Sequence, residues 1–347
     1  MIPEKEMEKK HPHLNIDEDV IEIHPCTENG KVTLETQLKP KFGDSNFFND
    51  FFDQIQLCTS LSEVDMFDTM NCSSKMGYAL LEFKGKRTHI FKTGRIIMRR
   101  ADNREDALAT FSKISKALLP AKICSCGNML ADCFGGACEF CSKNVCAALP
   151  DIFEAKEVGD NSGITLGDIL VDIDKHGNDK LSGNFKGLRD IVNEIRKIHD
   201  EQKNDKVIDK QTSKDKIDEI VSKINHNCTK TILENEGQIQ TIIALIQYGL
   251  GRDLIRVRDG LLSLELKNLG EGYEIATELF FNAYDAFERR DIKGAMDVEA
   301  RYKEFISSLE LNSSSMGVAK IATNGFYISR ILGIPVPDVS KSITGRS

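Results

Sequence analysis

The sequence predicts an α+β N-terminal domain (helix plus antiparallel sheet) followed by an all-α helical bundle, with a cysteine-rich metal-binding module at the join. Three observations carry this expectation. Short β-rich runs separated by glycine-containing turns fill residues 78–99 and are flanked by helical periodicity. Apolar residues recur along one helical face from Ile217 to Ile246. Six of the ten cysteines crowd between Cys124 and Cys146.

Within the first domain, Phe47, Phe48, Phe51, Phe52 and Ile55 recur at three- and four-residue steps and predict an amphipathic helix. The runs Tyr78–Phe83, Thr88–Lys92 and Arg95–Arg99 then read as a meander with tight turns at Lys84-Gly85-Lys86 and Thr93-Gly94. Asp102 and Asn103 can cap a following helix with Ala107, Leu108, Phe111, Ile114 and Leu118 on one face, ended by Pro120. Gly77–Phe83, Ile90–Met98 and Arg104–Ala107 together resemble one half-repeat of the TATA-binding-protein fold, over roughly residues 46–119. In that family two half-repeats form a saddle that bends DNA. This chain carries no second copy, so the resemblance implies bending only for a dimer, and homo-oligomer formation stays open.

The helical region reads as Ile217, Ile220, Val221, Ile224, Cys228, Ile232, Ile239, Ile242 and Ile246 on one stripe, then helices at Tyr273–Arg289, Asp291–Leu309 and Ser315–Leu332. Asp291 stands where an N-cap belongs, and Ala295, Val298, Tyr302, Phe305 and Leu309 share a face. The runs Ala276–Leu279, Tyr284–Phe287 and Asp291–Glu299 are similar to the PhoU family of helical bundles, whose members the resemblance implies to be regulators that dock on other machinery. Asp291, Asp297 and Glu299 do not have the spacing of that family's acidic metal motif, so no such site carries over.

The expected organisation is a tail over 1–45 with a candidate strand at Lys31–Gln37, an α+β domain over 46–120, the cysteine module over 121–150, a polar linker with a short helix such as Leu188–Ile198 over 151–211, the bundle over 212–335 and a tail over 336–347. A chain of 347 residues with 40% apolar and 29% charged residues has enough apolar content for two cores. Its net charge of −8 excludes a protein that coats nucleic acid over its whole surface. No apolar run is long enough to span a bilayer, and no apolar segment follows the charged Met1–Lys10, so a cytoplasmic location is expected.

In a reducing compartment clustered thiols are ligands more often than disulfides. Cys124, Cys126, Cys133, Cys138, Cys141 and Cys146, interspersed with Gly127, Gly135 and Gly136, are therefore expected to bind metal. Only Cys138 and Cys141 form a Cys-x-x-Cys step, which favours an iron–sulfur cluster of the [4Fe–4S] kind and leaves zinc as the alternative. Cys26, Cys58, Cys72 and Cys228 are isolated and read as small buried hydrophobes.

The remaining signal is charge. Lys84, Lys86, Arg87, Lys92, Arg95, Arg99, Arg100 and Arg104 face one acid, Asp102, within residues 84–104. Lys86, Arg87, Lys92, Arg95, Arg99 and Arg100 are the candidate anion- or partner-binding residues. The plainer alternative is a solvated sheet that resists edge aggregation. In Asp172-x-Asp174-x-His176-Gly177 a calcium loop fails at Gly183, where a bidentate Glu belongs. No phosphate loop, nucleophile elbow or dinucleotide fingerprint occurs, so no catalytic residues are assigned. The expected role is a metal-cluster-containing adaptor or redox-responsive regulator docking on a protein or larger complex. The alternatives are a nucleic-acid-binding factor of the transcription type and an iron–sulfur electron-transfer subunit.

Overall fold

The computed structural model describes residues 21–26, 30–38, 50–123, 128–137, 165–168, 170–171, 179–204, 208–234, 238–264, 270–309 and 315–334. They fall into two compact units. One runs to Ala131 and takes in Thr229–Thr241; the other contains Asp132–Cys146, Asp160–Cys228 and Ile242 onward.

The first unit is built on an antiparallel six-stranded sheet. Its elements run β1 (Ile21–Pro25), β2 (Val32–Gln37), α1 (Gln54–Ser62), β3 (Thr69–Ser73), β4 (Tyr78–Phe83), β5 (Lys86–Phe91), β6 (Arg95–Ala101) and α2 (Arg104–Ala117). The strands lie in the order β1-β2-β6-β5-β4-β3. Lys84 and Gly85 both take positive φ, 49° and 74°, and close a two-residue hairpin that sets Phe83 opposite Lys86. That conformation matches the twist of the flanking strands, and Gly85 adopts it without steric cost. Leu34, Leu81, Ile90, Ile96 and Met98 from the sheet pack with Leu57 and Leu61 of α1 and with Phe111 and Ile114 of α2.

The expected order of helix, antiparallel sheet and helix is present, with three differences. The predicted tail is part of the sheet: the strand expected at Lys31–Gln37 is β2, and β1 joins it, because Ile21, Ile23, Val32 and Leu34 alternate and reach the core once β6 supplies a partner. The first helix starts later than the phenylalanine spacing suggests: Asp53 accepts from the amides of Ile55 and Gln56, while Phe51 and Phe52 precede it in the lead-in segment. Ile55, placed by periodicity on the apolar face, is instead 65% exposed. The edge strand β3 has too little apolar alternation in Thr69-Met70-Asn71-Cys72-Ser73 to be read in advance. In α2 the cap is Asn103, whose side chain accepts from Asp106 N.

After a short helix α3 (Leu130–Phe134) the chain is all helical among the described residues: α4 (Asp179–Lys203), α5 (Lys210–Glu234), α6 (Gln238–Ser263), α7 (Glu271–Glu288), α8 (Ile292–Ser308) and α9 (Met316–Ile331). The segment read as a linker contains the 25-residue α4, which buries Leu188, Ile191, Val192, Ile195 and Ile198. The helical patch expected at Leu188–Ile198 is its middle, and the polar flanks to either side hid its full length. Asp291 caps α8 through Gly294 N, as its position suggests, and Tyr302 of α8 stacks on Phe326 of α9 at 4.2 Å. Gly325 of α9 lets two helices close up, since a Cβ there would stand 2.8 Å from the Phe280 Cα of α7. Among the described residues no helix is long and apolar enough to cross a membrane.

Candidate binding face of the sheet

A β-strand sends alternate side chains to opposite faces. Along β4, β5 and β6 the buried set is Ala79, Leu81, Phe83, Lys86, Thr88, Ile90, Ile96 and Met98, which lies against the helices. The alternate set comprises Tyr78, Leu80, Glu82, Arg87, His89, Phe91, Arg95, Ile97 and Arg99, each half-buried or exposed. Arg95, Ile97 and Arg99 thus share a face opposite to Ile96 and Met98.

Register brings this set together. Tyr78 pairs with Phe91, Leu80 with His89 and Glu82 with Arg87 across β4–β5; Arg87 pairs with Arg99 and His89 with Ile97 across β5–β6. The Tyr78 and Phe91 rings lie 5.2 Å apart, and the Tyr78 hydroxyl is 2.8 Å from His89 Nδ1. Burial first, then the Arg87 and Arg99 charges, lowers the His89 pKa from its ordinary 6.5 and keeps the ring neutral near pH 7.

Five of the six candidate cations separate into two groups, with Arg100 apart from both. Lys86 is 5% exposed and pairs with Asp106 at 2.9 Å on the helix-covered side, so it is not displayed on the open face. Lys92 pairs with Asp50 at 2.8 Å, and Arg95 with Glu35 at 2.6 Å across β2–β6. Arg100 sits at positive φ (69°) near the end of β6. Arg87 and Arg99 have no carboxylate partner within ion-pair distance among the described residues, although Glu82 stands opposite Arg87 in register. Two like charges facing each other across a strand pair typically destabilise it by a few tenths to about 1 kcal/mol. The arginine pair, with Glu82 beside it as its cross-strand neighbour, is the part of this face that lacks a close carboxylate among the described residues.

The chain matches no protein-family model, no curated protein and no solved structure. The fold class therefore stands on the antiparallel sheet with its helices and on the all-helical region that follows.

The metal expectation falls mostly elsewhere. Cys124, Cys126, Cys138, Cys141 and Cys146 lie outside the described residues, as do Asp172, Asp174 and His176. Cys133 lies inside them, buried on α3. Among the described residues no three His, Cys, Asp or Glu side chains gather as a metal ion would need. Two of the isolated cysteines are corrected: Cys58 of α1 and Cys72 of β3 form a disulfide with Cα atoms 5.6 Å apart. Cys228 is fully buried as expected, but its Sγ lies 3.6 Å from Asn184 Nδ2 and 3.7 Å from Gln247 Oε1 in a polar network.

A second polar centre, inside the helical unit, gave no sequence signal. Arg252 Nε donates to Asp132 Oδ1 at 2.9 Å, and Arg256 donates to both Asp132 Oδ2 and Asp253 Oδ1 at 2.8 Å. Asp253 is 1% exposed, and its Oδ2 has no partner among the described residues. Burial pushes its pKa up to about 8 against the opposing pull of Arg256 and Arg252, with Asp132 adding to the rise. An Asp and two Args on a helix look like ordinary surface charge until Asp132, far away in sequence, is seen to close the network.

Proposed function

We propose that the protein is a binding component whose N-terminal sheet receives a single-stranded nucleic acid on its open face. On this reading the nucleic-acid alternative is preferred to the adaptor docking on a protein that the sequence first suggests. The observation that carries it is the Arg87–Arg99 pair lacking a carboxylate partner, beside half-buried Tyr78, His89 and Phe91. Rings on a sheet supply stacking surfaces for unpaired bases, and arginines supply phosphate contacts, the combination that single-strand binders use. A duplex would keep its bases stacked internally and leave these rings unused. The resemblance to a TATA-binding-protein half-repeat supports the same face. The cysteine-rich segment is proposed to hold an iron–sulfur cluster, or else zinc, that braces the region after the sheet.

The test is fluorescence anisotropy of a labelled twelve-residue oligothymidylate against the full chain over a salt series. Two phosphate contacts predict a slope of log K against log salt of about −1.4. Tyr78→Ala or Phe91→Ala should each weaken binding by about 1–3 kcal/mol per lost stack. Absence of binding at low salt, or affinity indifferent to both substitutions in folded protein, refutes the proposal.

A further inference from the structure

We propose that Arg87, His89 and Arg99 form one phosphate clamp over β5–β6, and that His89 takes up a proton from solvent when a phosphodiester oxygen settles between the two arginines. The inference rests on the single-strand reading and names the regulation of that same site.

The geometry supplies the parts in order. Arg87 and Arg99 are direct cross-strand partners, both exposed, with no carboxylate partner among the described residues. An anion placed between them removes the repulsion that the bare sheet leaves in place. His89 follows Arg87 by two residues and so rises from the same face. The Tyr78 hydroxyl lies 2.8 Å from Nδ1; in the tautomer where the hydroxyl donates to Nδ1, the neutral ring carries its hydrogen on Nε2. No described residue bonds Nε2, which leaves it able to donate to an anion. On protonation Nδ1–H donates to the Tyr78 oxygen in turn, so the imidazolium keeps both its nitrogens satisfied.

The surroundings set the direction of coupling. The side chains on this face around His89 are Arg87 and Phe91 on its own strand, Tyr78, Leu80 and Glu82 on β4, and Arg95, Ile97 and Arg99 on β6. Arg95 is engaged by Glu35 of β2. Arg87 and Arg99 oppose a positive ring in the empty site, as the depressed pKa of His89 reflects. A bound phosphate neutralises them and adds a negative charge beside the ring, so protonation becomes easier in the complex than in the free protein. By linkage, binding takes up protons and tightens as pH falls.

The experiment titrates full-length protein with oligothymidylate, whose thymines carry no titrating group between pH 5.5 and 8.5. Anisotropy over that range should show affinity rising about tenfold for each unit by which binding raises the His89 pKa. Calorimetry at pH 6.5 in two buffers of different ionisation enthalpy should show proton uptake. In the free protein, Arg87→Gln with Arg99→Gln should raise the His89 pKa read by NMR, and His89→Gln should flatten the pH profile of whatever binding remains. Salt-dependent binding with no proton uptake and a flat pH profile overturns the clamp while leaving the single-strand reading intact. A steep profile persisting in His89→Gln also overturns it. Absence of any oligothymidylate binding defeats both.

Discussion

Breaking the Cys58–Cys72 bond is expected to loosen the sheet at its β3 edge. Cys58 lies in α1 and Cys72 in β3, the edge strand that pairs only with β4. The two are 14 residues apart in sequence, so the bond closes a loop of about 15 residues; the chain-entropy relation assigns such a loop roughly 3 kcal/mol through the unfolded state. For a domain of about 100 residues, 3 kcal/mol corresponds to a melting shift of roughly 10–20 °C. The variant Cys58→Ser with Cys72→Ser should lower the urea midpoint of the N-terminal domain without changing its slope. Adding dithiothreitol should move wild type toward the variant and leave the variant in place, which separates this bond from thiols of the cysteine-rich segment. Two results refute the reasoning: alkylation of both thiols in native protein purified without reductant, or coincident melts of wild type and variant. The bond also bears on compartment, since disulfides persist where the surroundings are oxidising and are rare in a reducing cytoplasm.

Asp253→Asn should stabilise the helical unit most at alkaline pH. Folding raises this carboxyl from 3.8 to about 8, so the native state holds a proton that the unfolded chain releases, and wild-type stability falls as pH rises through that window. Melts at pH 5 and pH 9 should differ by a few kcal/mol more in wild type than in the variant, and equal slopes would rule out the buried acid as the cause. Arg87→Glu with Arg99→Glu should abolish nucleic-acid binding while the circular dichroism spectrum stays unchanged, whereas Arg95→Glu, already committed to Glu35, should weaken it less; equal losses from both would point to general charge instead of the pair. Cys138→Ser with Cys141→Ser should sharply lower iron or zinc measured by elemental analysis after anaerobic purification, and unchanged metal would move the ligands elsewhere in the chain.

The features legible in the sequence were those with a period. Alternation in Tyr78–Phe83 and Arg95–Arg99, the positive-φ turn at Lys84-Gly85 and the cap at Asp291 all act over a few residues, and each appears in the fold. The features missed depend on distant partners. β1 passes for charged tail until it pairs with β2; Cys58 and Cys72 look isolated until α1 is laid beside β3. Lys86 shows the limit most clearly. Its charge suggested display, but the Lys84-Gly85 turn sets its parity inward, where Asp106 of α2 receives it. Count and composition identified the basic stretch, while strand parity decided which of its members reach solvent.

That parity also explains how a protein of net charge −8 could still hold a polyanion. Beyond a Debye length, about 8 Å at physiological salt, the acids elsewhere on the chain are screened from a ligand on the sheet. Within that distance the balance is local. Glu35 is occupied by Arg95 and Asp106 by Lys86, while Glu82 stands opposite Arg87 in register. On the proposed reading a strand lies over β5–β6, where Arg87 and Arg99 have no carboxylate partner among the described residues. A short footprint of about two phosphates follows from this arrangement, and with it a shallow salt dependence in place of the steep slopes shown by proteins that contact six to ten phosphates.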